Sequence, residues 1–357
     1  MFENEKKFLL LVAMPVVDES QKQEIVRLFQ ENINFDYVYR QLILNKISNL
    51  AFQNLRETRI LGRIPKLYRR NMEDVFTASS LRYEKYISIA KQAAQLFEQN
   101  RLTYAFLKGI NLQNKIYRHC SMFVRDFSDL DILIDPTDEA LFISVMGKMG
   151  FREGKYDMYS EAFSPSTRSD VLKGKMFYHQ IPPFCKKISP YYSYANAVFL
   201  DVNFSPFFGG QIKDPIEISE FMKNVCRTPY YNENFTYLSL RDEYDLLQNC
   251  FHFYKDMLYA PRKTMRDIYK IISFLDIREF IRNHRATLNW DKFSQLVSSN
   301  GLNESVYIVL YLTEQLFHDL QVDTLIQEFK PASPSASVKE LLCACLLYTS
   351  DAADDRI

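Results

Sequence analysis

The chain has 357 residues, of which 47% are apolar and 25% are charged, a balance typical of a globular protein with a substantial core. Its 44 basic residues equal its 44 acidic residues, so net charge gives no general attraction to a long nucleic acid. Only 9 glycines occur, and neither GxGxxG nor GxxxxGK[ST] is present, which excludes Rossmann and P-loop sites.

One basic stretch departs from this balance. It runs through residues 56–70, where Glu57 is the one acidic residue. Two interpretations stay open, a solvated helix face and a basic rim for a polyanionic substrate. Its basic residues are Arg56, Arg59, Arg63, Lys66, Arg69 and Arg70.

The cysteines and the apolar N-terminal segment bear on the compartment. The 6 cysteines form no CxxC pair and no metal-ligand spacing, as expected of reduced thiols. Residues 8–17 (FLLLVAMPVV) are too few to span a bilayer and include Pro15, so we expect a buried helix rather than a signal peptide. We therefore expect a cytoplasmic protein with no membrane partner.

Residues 1–100 are predicted to form a helical region. Apolar residues recur at i, i+3, i+4 and i+7 through residues 35–55, a spacing that predicts an amphipathic helix. Pro65 opens a second helical stretch, and residues 79–100 are predicted to form a third helix. No strand pattern precedes Leu102.

Residues 101–235 combine short strands with helices. One predicted helix covers residues 110–117, and a second covers 138–149, with Thr137 as its cap and Gly150 at its end. The predicted strands are residues 103–107, 130–134, 175–180 and 198–204.

Helices return in residues 236–344. Ser239 is predicted to cap a helix that reaches Tyr259 and is stopped by Pro261. Three further helices are predicted at residues 264–283, 290–299 and 304–320.

The order of these elements predicts an α+β fold. A small mixed β-sheet core is flanked by the N-terminal and C-terminal helical regions. Residues 345–357, which begin CLLYTSDAADD, resemble a translated sequencing adapter, so we exclude this tail from the fold and expect the natural C-terminus to differ.

The most informative segment is RDFSDLDILID, residues 125–135. Alternate residues of a strand project from one face, so Asp129 and Asp131 are expected side by side at the start of a buried strand. Two close carboxylates repel each other unless a cation lies between them or one is protonated. Mg²⁺ binds one or two carboxylates together with phosphate oxygens and water, and therefore suits this pair.

A third carboxylate lies in another apolar strand, FLDVNF. An unpaired Asp201 would be costly to bury there, so we predict that it faces the other two. The three would then hold Mg²⁺ or Mn²⁺ for in-line displacement at phosphorus. The alternative is that the DxD carboxylates merely occupy a solvated strand end.

These motifs, in this order, resemble a known family. An LKG turn at residues 107–109, RDFSDLD at 125–131 and LDV at 200–202 are similar to the uncharacterised nucleotidyltransferase family of the DNA-polymerase-β-like superfamily. Residues 35–55 and 238–272 resemble its flanking helical segments. Two departures occur: Ile110 stands where the superfamily often has serine, and Asn203-Phe204 stands where the family often has His-Trp.

The resemblance implies catalytic and metal-binding roles for Asp129, Asp131 and Asp201. It also implies that Gly109, which has no Cβ, lets the backbone approach the triphosphate, and that the amides of the following helix face phosphate oxygens. Ser128 is a further expected contact with the nucleotide.

Two cationic residues are expected to bind phosphate, each with an alternative. Lys108 is a plausible contact, although it could be a solvated turn residue. Arg125 is another, although it could instead pair with Asp126 or Asp129.

The resemblance also directs attention to three residues of the C-terminal region. His252 could line the cleft or be a core histidine between two phenylalanines. Arg266 and Asp267 could line the cleft or form a structural ion pair.

The activity implied by the resemblance is transfer of a nucleoside monophosphate from a nucleoside triphosphate to an acceptor hydroxyl. The acceptor could be a protein side chain, a small molecule, a sugar or an RNA end, whereas a long nucleic acid is not expected. Two alternatives are a weakly catalytic module that binds a nucleotide or a partner, and a toxin-like modifier of one partner protein.

Overall fold

A mixed six-stranded sheet, packed against helices from both ends of the chain, is the framework of the protein. The computed structural model describes residues 3–31, 33–120, 122–189, 196–207, 216–259, 270–336 and 338–342. This arrangement confirms the predicted α+β fold. No helix within those ranges is both long enough and apolar enough to cross a membrane.

The large sheet has the strand order β1-β2-β6-β5-β3-β4. The two remaining strands, β7 and β8, form a separate hairpin. Within the large sheet, β2 and β6 are parallel, and all other neighbours are antiparallel. The strands are β1 (Tyr104–Phe106), β2 (Leu130–Ile134), β3 (Arg152–Asp157), β4 (Ala162–Pro165), β5 (Phe184–Lys187), β6 (Ala197–Asn203), β7 (Val225–Pro229) and β8 (Thr236–Leu240).

The helices fall into N-terminal, central and C-terminal groups. The N-terminal group is α1 (Glu3–Val12), α2 (Glu19–Gln30), α3 (Phe35–Leu44), α4 (Ser48–Glu57) and α5 (Lys66–Gln99). The central group is α6 (Lys108–Lys115), α7 (Glu139–Lys148), α8 (Arg168–Lys173) and α9 (Ile218–Lys223). The C-terminal group is α10 (Asp242–Tyr259), α11 (Ile271–His284), α12 (Trp290–Ser299), α13 (Asn303–Phe317) and α14 (Asp323–Phe329).

Two apolar cores lie on opposite sides of strand β2. Leu130, Ile132 and Ile134 belong to the core that β2 shares with α5 and α7, whereas Leu133 belongs to the core shared with α4 and α10. This alternation follows the two-residue period of a strand. Because Asp131 has the same parity as Leu133, it faces the side on which the N-terminal and C-terminal helices meet.

The N-terminal helices differ from the predicted pattern at two places. The amphipathic stripe of residues 35–55 is split into α3 and α4 at Lys46, whose φ of 55° is left-handed and ends the first helix. The stretches predicted after Pro65 and at 79–100 are instead one helix, α5, with Ser79 buried inside it.

Three further predictions about local structure were wrong. Residues 175–180 are not a strand, because the chain continues from α8 through a helical turn at Gly174–Tyr178. Thr137 does not cap α7: its amide donates to Asp135 in a short 3-10 turn at Pro136–Asp138, and Asp138, the N-cap of α7, makes no side-chain capping hydrogen bond. Ser239 is buried in β8, and α10 begins after it.

Candidate functional site

The three predicted carboxylates lie together where β2 and β6 run side by side. Asp131 is paired in register with Asp201, and Asp129 lies just before β2. All three line one cleft of about 320 Å³. The carboxylates predicted from the two strands therefore line the same cleft.

The pairing of Asp131 with Asp201 follows from the buried neighbours of each residue. Leu130 and Ile132 pair with Leu200 and Val202, and all four lie in the apolar core on the other face of the sheet. Since side chains alternate between the two faces, these contacts turn both carboxylates toward the cleft.

Lys108 occupies the space beside Asp131. Its ammonium lies 2.6 Å from Asp131 Oδ1, and its backbone has a positive φ of 42° at the start of α6. Burial opposes its charge, but the carboxylates of Asp131, Asp129 and Asp201 outweigh burial and raise the pKa of Lys108. Lys108 is thus a largely buried ion-pair partner of Asp131 rather than a solvated turn residue. We call Asp129, Asp131 and Asp201 the acidic group.

The remaining carboxylates stay crowded despite this ion pair. Burial, followed by the charges of Asp131 and Asp201, raises the pKa of Asp129 to about 7. Burial and the charge of Asp131 also raise the pKa of Asp201. One ammonium therefore does not offset the mutual repulsion of the group, which favours a further cation.

The acidic group is not a preformed metal cage. Within the described ranges, no three His, Cys, Asp or Glu side chains are close enough together to hold an ion by themselves. The group does provide hard oxygen donors, and Mg²⁺ commonly takes only one or two carboxylates while substrate phosphates and water complete its shell. The donor set therefore fits an ion that arrives with a nucleotide.

Lysines from the flanking helices also line the cleft. Lys46 comes from the break between α3 and α4, Lys255 from α10, and Lys270 immediately precedes α11. Partial desolvation in the cleft, followed by the charges of Lys270 and Arg125, lowers the pKa of Lys46. Burial, followed by the charge of Lys108, lowers the pKa of Lys255. We call Lys46, Lys255 and Lys270 the basic wall.

The basic wall was not predicted from the sequence, because its three lysines are far apart along the chain and a single lysine does not indicate a particular function. Lys255 alone carried a signal, since it lies three residues after His252 and shares its helix face. Lys46 stood inside an apparently continuous helix.

The family of the protein follows from a match that covers most of the chain. The model of the uncharacterised nucleotidyltransferases matches residues 31–318. The chain belongs to this family. Curated proteins give no significant match. The matched range contains both walls of the cleft of this nucleotidyltransferase.

Arg125 does not pair with the side chain of Asp126 or of Asp129, the two partners considered from the sequence. Its Nε and Nη2 donate to the carboxylate of Asp276 on α11, with Nη2 to Oδ2 at 2.8 Å. Its Nη1 donates to the backbone carbonyl of Asp126 at 2.7 Å, and Tyr117 donates to Asp276 Oδ1 at 2.8 Å. Arg125 lines the cleft, but much of its charge is offset by Asp276.

Gly109 and Ser128 also lie in the cleft, each with a structural contact. A Cβ on Gly109 would lie 2.8 Å from Cγ of Phe127. The Phe127 ring is therefore sufficient reason for a glycine at position 109. The Ser128 carbonyl accepts a hydrogen bond from the Tyr86 hydroxyl, which in turn accepts from the Phe199 amide at 3.0 Å. Tyr86, on α5, therefore ties the segment before β2 to β6, a link that the sequence did not reveal.

His252 lines the cleft, whereas two other predicted residues are not described. His252 Nε2 lies 3.5 Å from Asp256 Oδ2. Burial, followed by the charges of Lys108, Lys255 and Arg125, holds the pKa of His252 well below its usual value, so the ring is neutral at pH 7. Arg266 and Asp267 lie outside the described residues.

The basic stretch of residues 56–70 is separate from this cleft. None of its residues is among the described residues that line the cleft. Arg69 donates to the Gly62 carbonyl at 3.1 Å, and Arg63 lies over the ring of Phe29. These contacts support the interpretation as a helix and loop surface.

Proposed function

We propose that this nucleotidyltransferase moves a nucleoside monophosphate from a nucleoside triphosphate to an acceptor hydroxyl and releases pyrophosphate. One observation carries the proposal: Asp131 and Asp201 are paired across β2 and β6, in a cleft that is also lined by lysines. Carboxylates can bind a metal ion and lysines can bind phosphates, so the cleft suits a nucleoside triphosphate with a bound metal ion.

Asp129, Asp131 and Asp201 would hold Mg²⁺ or Mn²⁺. When bound with the substrate, the ion would offset charge on the triphosphate and the leaving group and lower the pKa of the acceptor hydroxyl. The raised pKa values of Asp129 and Asp201 support a site that gains from added positive charge.

The triphosphate would lie along Lys46 and Lys270, two of the three lysines of the basic wall. Lys46 and Lys270 line the cleft as point charges suited to phosphate oxygens. The first amides of α6, near Gly109, would add neutral donors. Lys108 would stay on Asp131, and Arg125 would act chiefly by fixing α11 through Asp276.

The acceptor proton would pass to the carboxylate of Asp201. Its raised pKa makes it a better base than an ordinary aspartate. The acceptor oxygen would bond to the α-phosphorus as the bond from that phosphorus to pyrophosphate breaks.

A cytoplasmic location is part of the proposal. Cys120, Cys185, Cys226 and Cys250 are free thiols, which supports a reducing compartment.

The test is pyrophosphate release from each of the four ribonucleoside triphosphates with Mg²⁺, in the presence of pooled small molecules, peptides and RNA. We expect release that stops when the metal is chelated and in the double variant Asp129→Ala plus Asp131→Ala. Release that continues unchanged in that variant would remove the assignment. Nucleotide binding with no release under any condition would favour a binding module instead.

A further inference from the structure

A second pocket opens beside the cleft. It has a volume of about 240 Å³. The residues that line both spaces include Lys108, Gln180, Asn203, His252 and Lys255, so the pocket and the cleft meet at these side chains. A group bound in the pocket would therefore reach the acidic group directly.

The lining of this pocket is polar and mostly uncharged. It includes the amides of Gln180, Asn203 and Gln248 and the hydroxyl of Ser205, with Phe207 as an aromatic surface. Its two lysines are shared with the cleft, and no carboxylate is found among the described residues that line it. Such a lining suits several hydroxyl groups on a compact apolar frame. A run of phosphates is better served by the cleft, because the cleft adds Lys46 and Lys270, whereas Lys108 in the pocket is already paired with Asp131.

Gln248 supplies an unmet hydrogen-bond acceptor. The residue is 2% exposed, and its Oε1 has no hydrogen-bond partner in the described part of the chain. Buried amide oxygens are usually paired, so an unpaired one in a pocket wall calls for a donor. A ligand hydroxyl at this point would supply it.

The pocket meets the cleft at the end suited to an acceptor. Lys46 and Lys270 line the cleft but not the pocket, whereas Lys255 lines both. The pocket joins on the Lys255 side. In phosphoryl-type transfer, the attacking and leaving oxygens are roughly in line, so a triphosphate tail on Lys46 and Lys270 leaves the Lys255 side for the acceptor.

We propose that this pocket is the acceptor subsite and binds one uncharged polyhydroxylated group, a single sugar ring or a polyol. The inference rests on the proposed function. One hydroxyl of the ring bonds to the α-phosphorus, the bond to pyrophosphate breaks, and the hydroxyl proton goes to Asp201. The other hydroxyls bind the amides, including Gln248, which favours a polyol over the single hydroxyl of a protein side chain.

The test measures pyrophosphate release with nucleoside triphosphate and Mg²⁺ while glucose, galactose and myo-inositol are titrated. We expect release above the water background with at least one of them. Gln248→Met, which keeps the chain length and removes the amide, should raise the KM for that acceptor roughly tenfold and leave the KM for the triphosphate unchanged. Lys46→Gln is the matched control and should show the reverse pattern.

The outcomes separate this inference from the proposed function. If calorimetry shows binding of the triphosphate with Mn²⁺ but only peptide or RNA ends stimulate release, the acceptor inference is overturned and the proposed function stands. If the triphosphate does not bind at all, both are overturned. Asn203→Ala provides a second pocket variant should Gln248→Met not fold, and an unchanged acceptor KM in the folded variant also counts against the inference.

Discussion

The two walls of the cleft are built in different ways. The acidic wall comes from adjacent strands, in which Asp131 and Asp201 are fixed by the register of β2 against β6. The basic wall comes from helices that are far apart in sequence, with Lys46 near the N-terminus and Lys255 and Lys270 in the C-terminal region. One wall is set by backbone hydrogen bonds, and the other depends on how the helices pack.

This difference predicts that the two walls have separate roles in the reaction. Carboxylates that are fixed in the sheet can hold an ion at one place relative to the reacting phosphorus. Lysines on separate helices need only attract phosphate oxygens, and this attraction tolerates small displacements of the lysines. Changes in the acidic wall should therefore lower kcat, whereas changes in the basic wall should mainly raise the KM for the triphosphate.

The largest effect is expected for Asp131→Asn. The substitution keeps the shape of the side chain but removes the charge that Lys108 and the metal share, so kcat should fall roughly 10³-fold. The measurement is steady-state pyrophosphate release. Asp74→Asn, at an exposed position on α5, is the control and should retain the wild-type rate. Equal rates in both variants would contradict the role of the acidic wall.

A smaller effect is expected for Lys46→Gln and for Lys270→Gln. Loss of one charged contact to phosphate should raise the KM for the triphosphate about tenfold, with kcat changed much less. The exposed Lys85→Gln on α5 serves as the matched loss of a positive charge. A roughly tenfold fall in kcat at constant KM would show that the two walls do not divide the work as proposed.

The pH dependence of metal binding sharpens the same comparison. Because the pKa of Asp129 is raised to about 7, the metal must displace a proton below that pH, and Mg²⁺ affinity should fall about tenfold from pH 7.5 to 6. Calorimetry with nucleotide present measures this. In Asp129→Asn the dependence should flatten, and an undiminished pH dependence there would assign it to another group.

The same titration has a consequence for stability without metal. The folded pKa of Asp129, about 7, exceeds its ordinary value of 3.8, so proton binding by this residue stabilises the fold. That contribution is fully present below about pH 4 and is lost as the pH rises through 7. Urea unfolding of wild type and Asp129→Asn across this window should show a loss in the wild type that the variant lacks.

The smallest effect is expected for Tyr86→Phe. The change removes the hydroxyl that ties Ser128 to Phe199 and should lower the free energy of unfolding by about 1 kcal/mol. If the tie also positions Asp129, kcat should fall about threefold beyond any loss of folded protein. A Tyr86→Phe variant with wild-type kcat and lower stability would restrict the tyrosine to a structural role.

The acidic wall could be predicted because its determinants are local. The alternation in LDILI and FLDVNF fixes which face each aspartate takes, and their buried neighbours exclude a register slip of one residue. The helical flanks and the α+β fold also followed from apolar periodicity.

The basic wall could not be predicted because it depends on tertiary packing. Lys46 enters the cleft only because its left-handed backbone splits a stretch whose spacing fits one helix. Arg125 finds Asp276 across 151 residues of sequence, a pairing that no local pattern encodes. Likewise, the residues 175–180 have apolar character suited to a strand but continue the helical path of α8.

The most direct test of the shared cation site is a titration of Mn²⁺, followed by electron paramagnetic resonance, with a non-hydrolysable triphosphate present. The wild-type protein should bind Mn²⁺, and Asp131→Asn and Asp201→Asn should each weaken that binding by at least about tenfold, because in the proposed site both carboxylates would face one ion. Binding of Mn²⁺ that is unchanged in Asp201→Asn would contradict a site built jointly by β2 and β6.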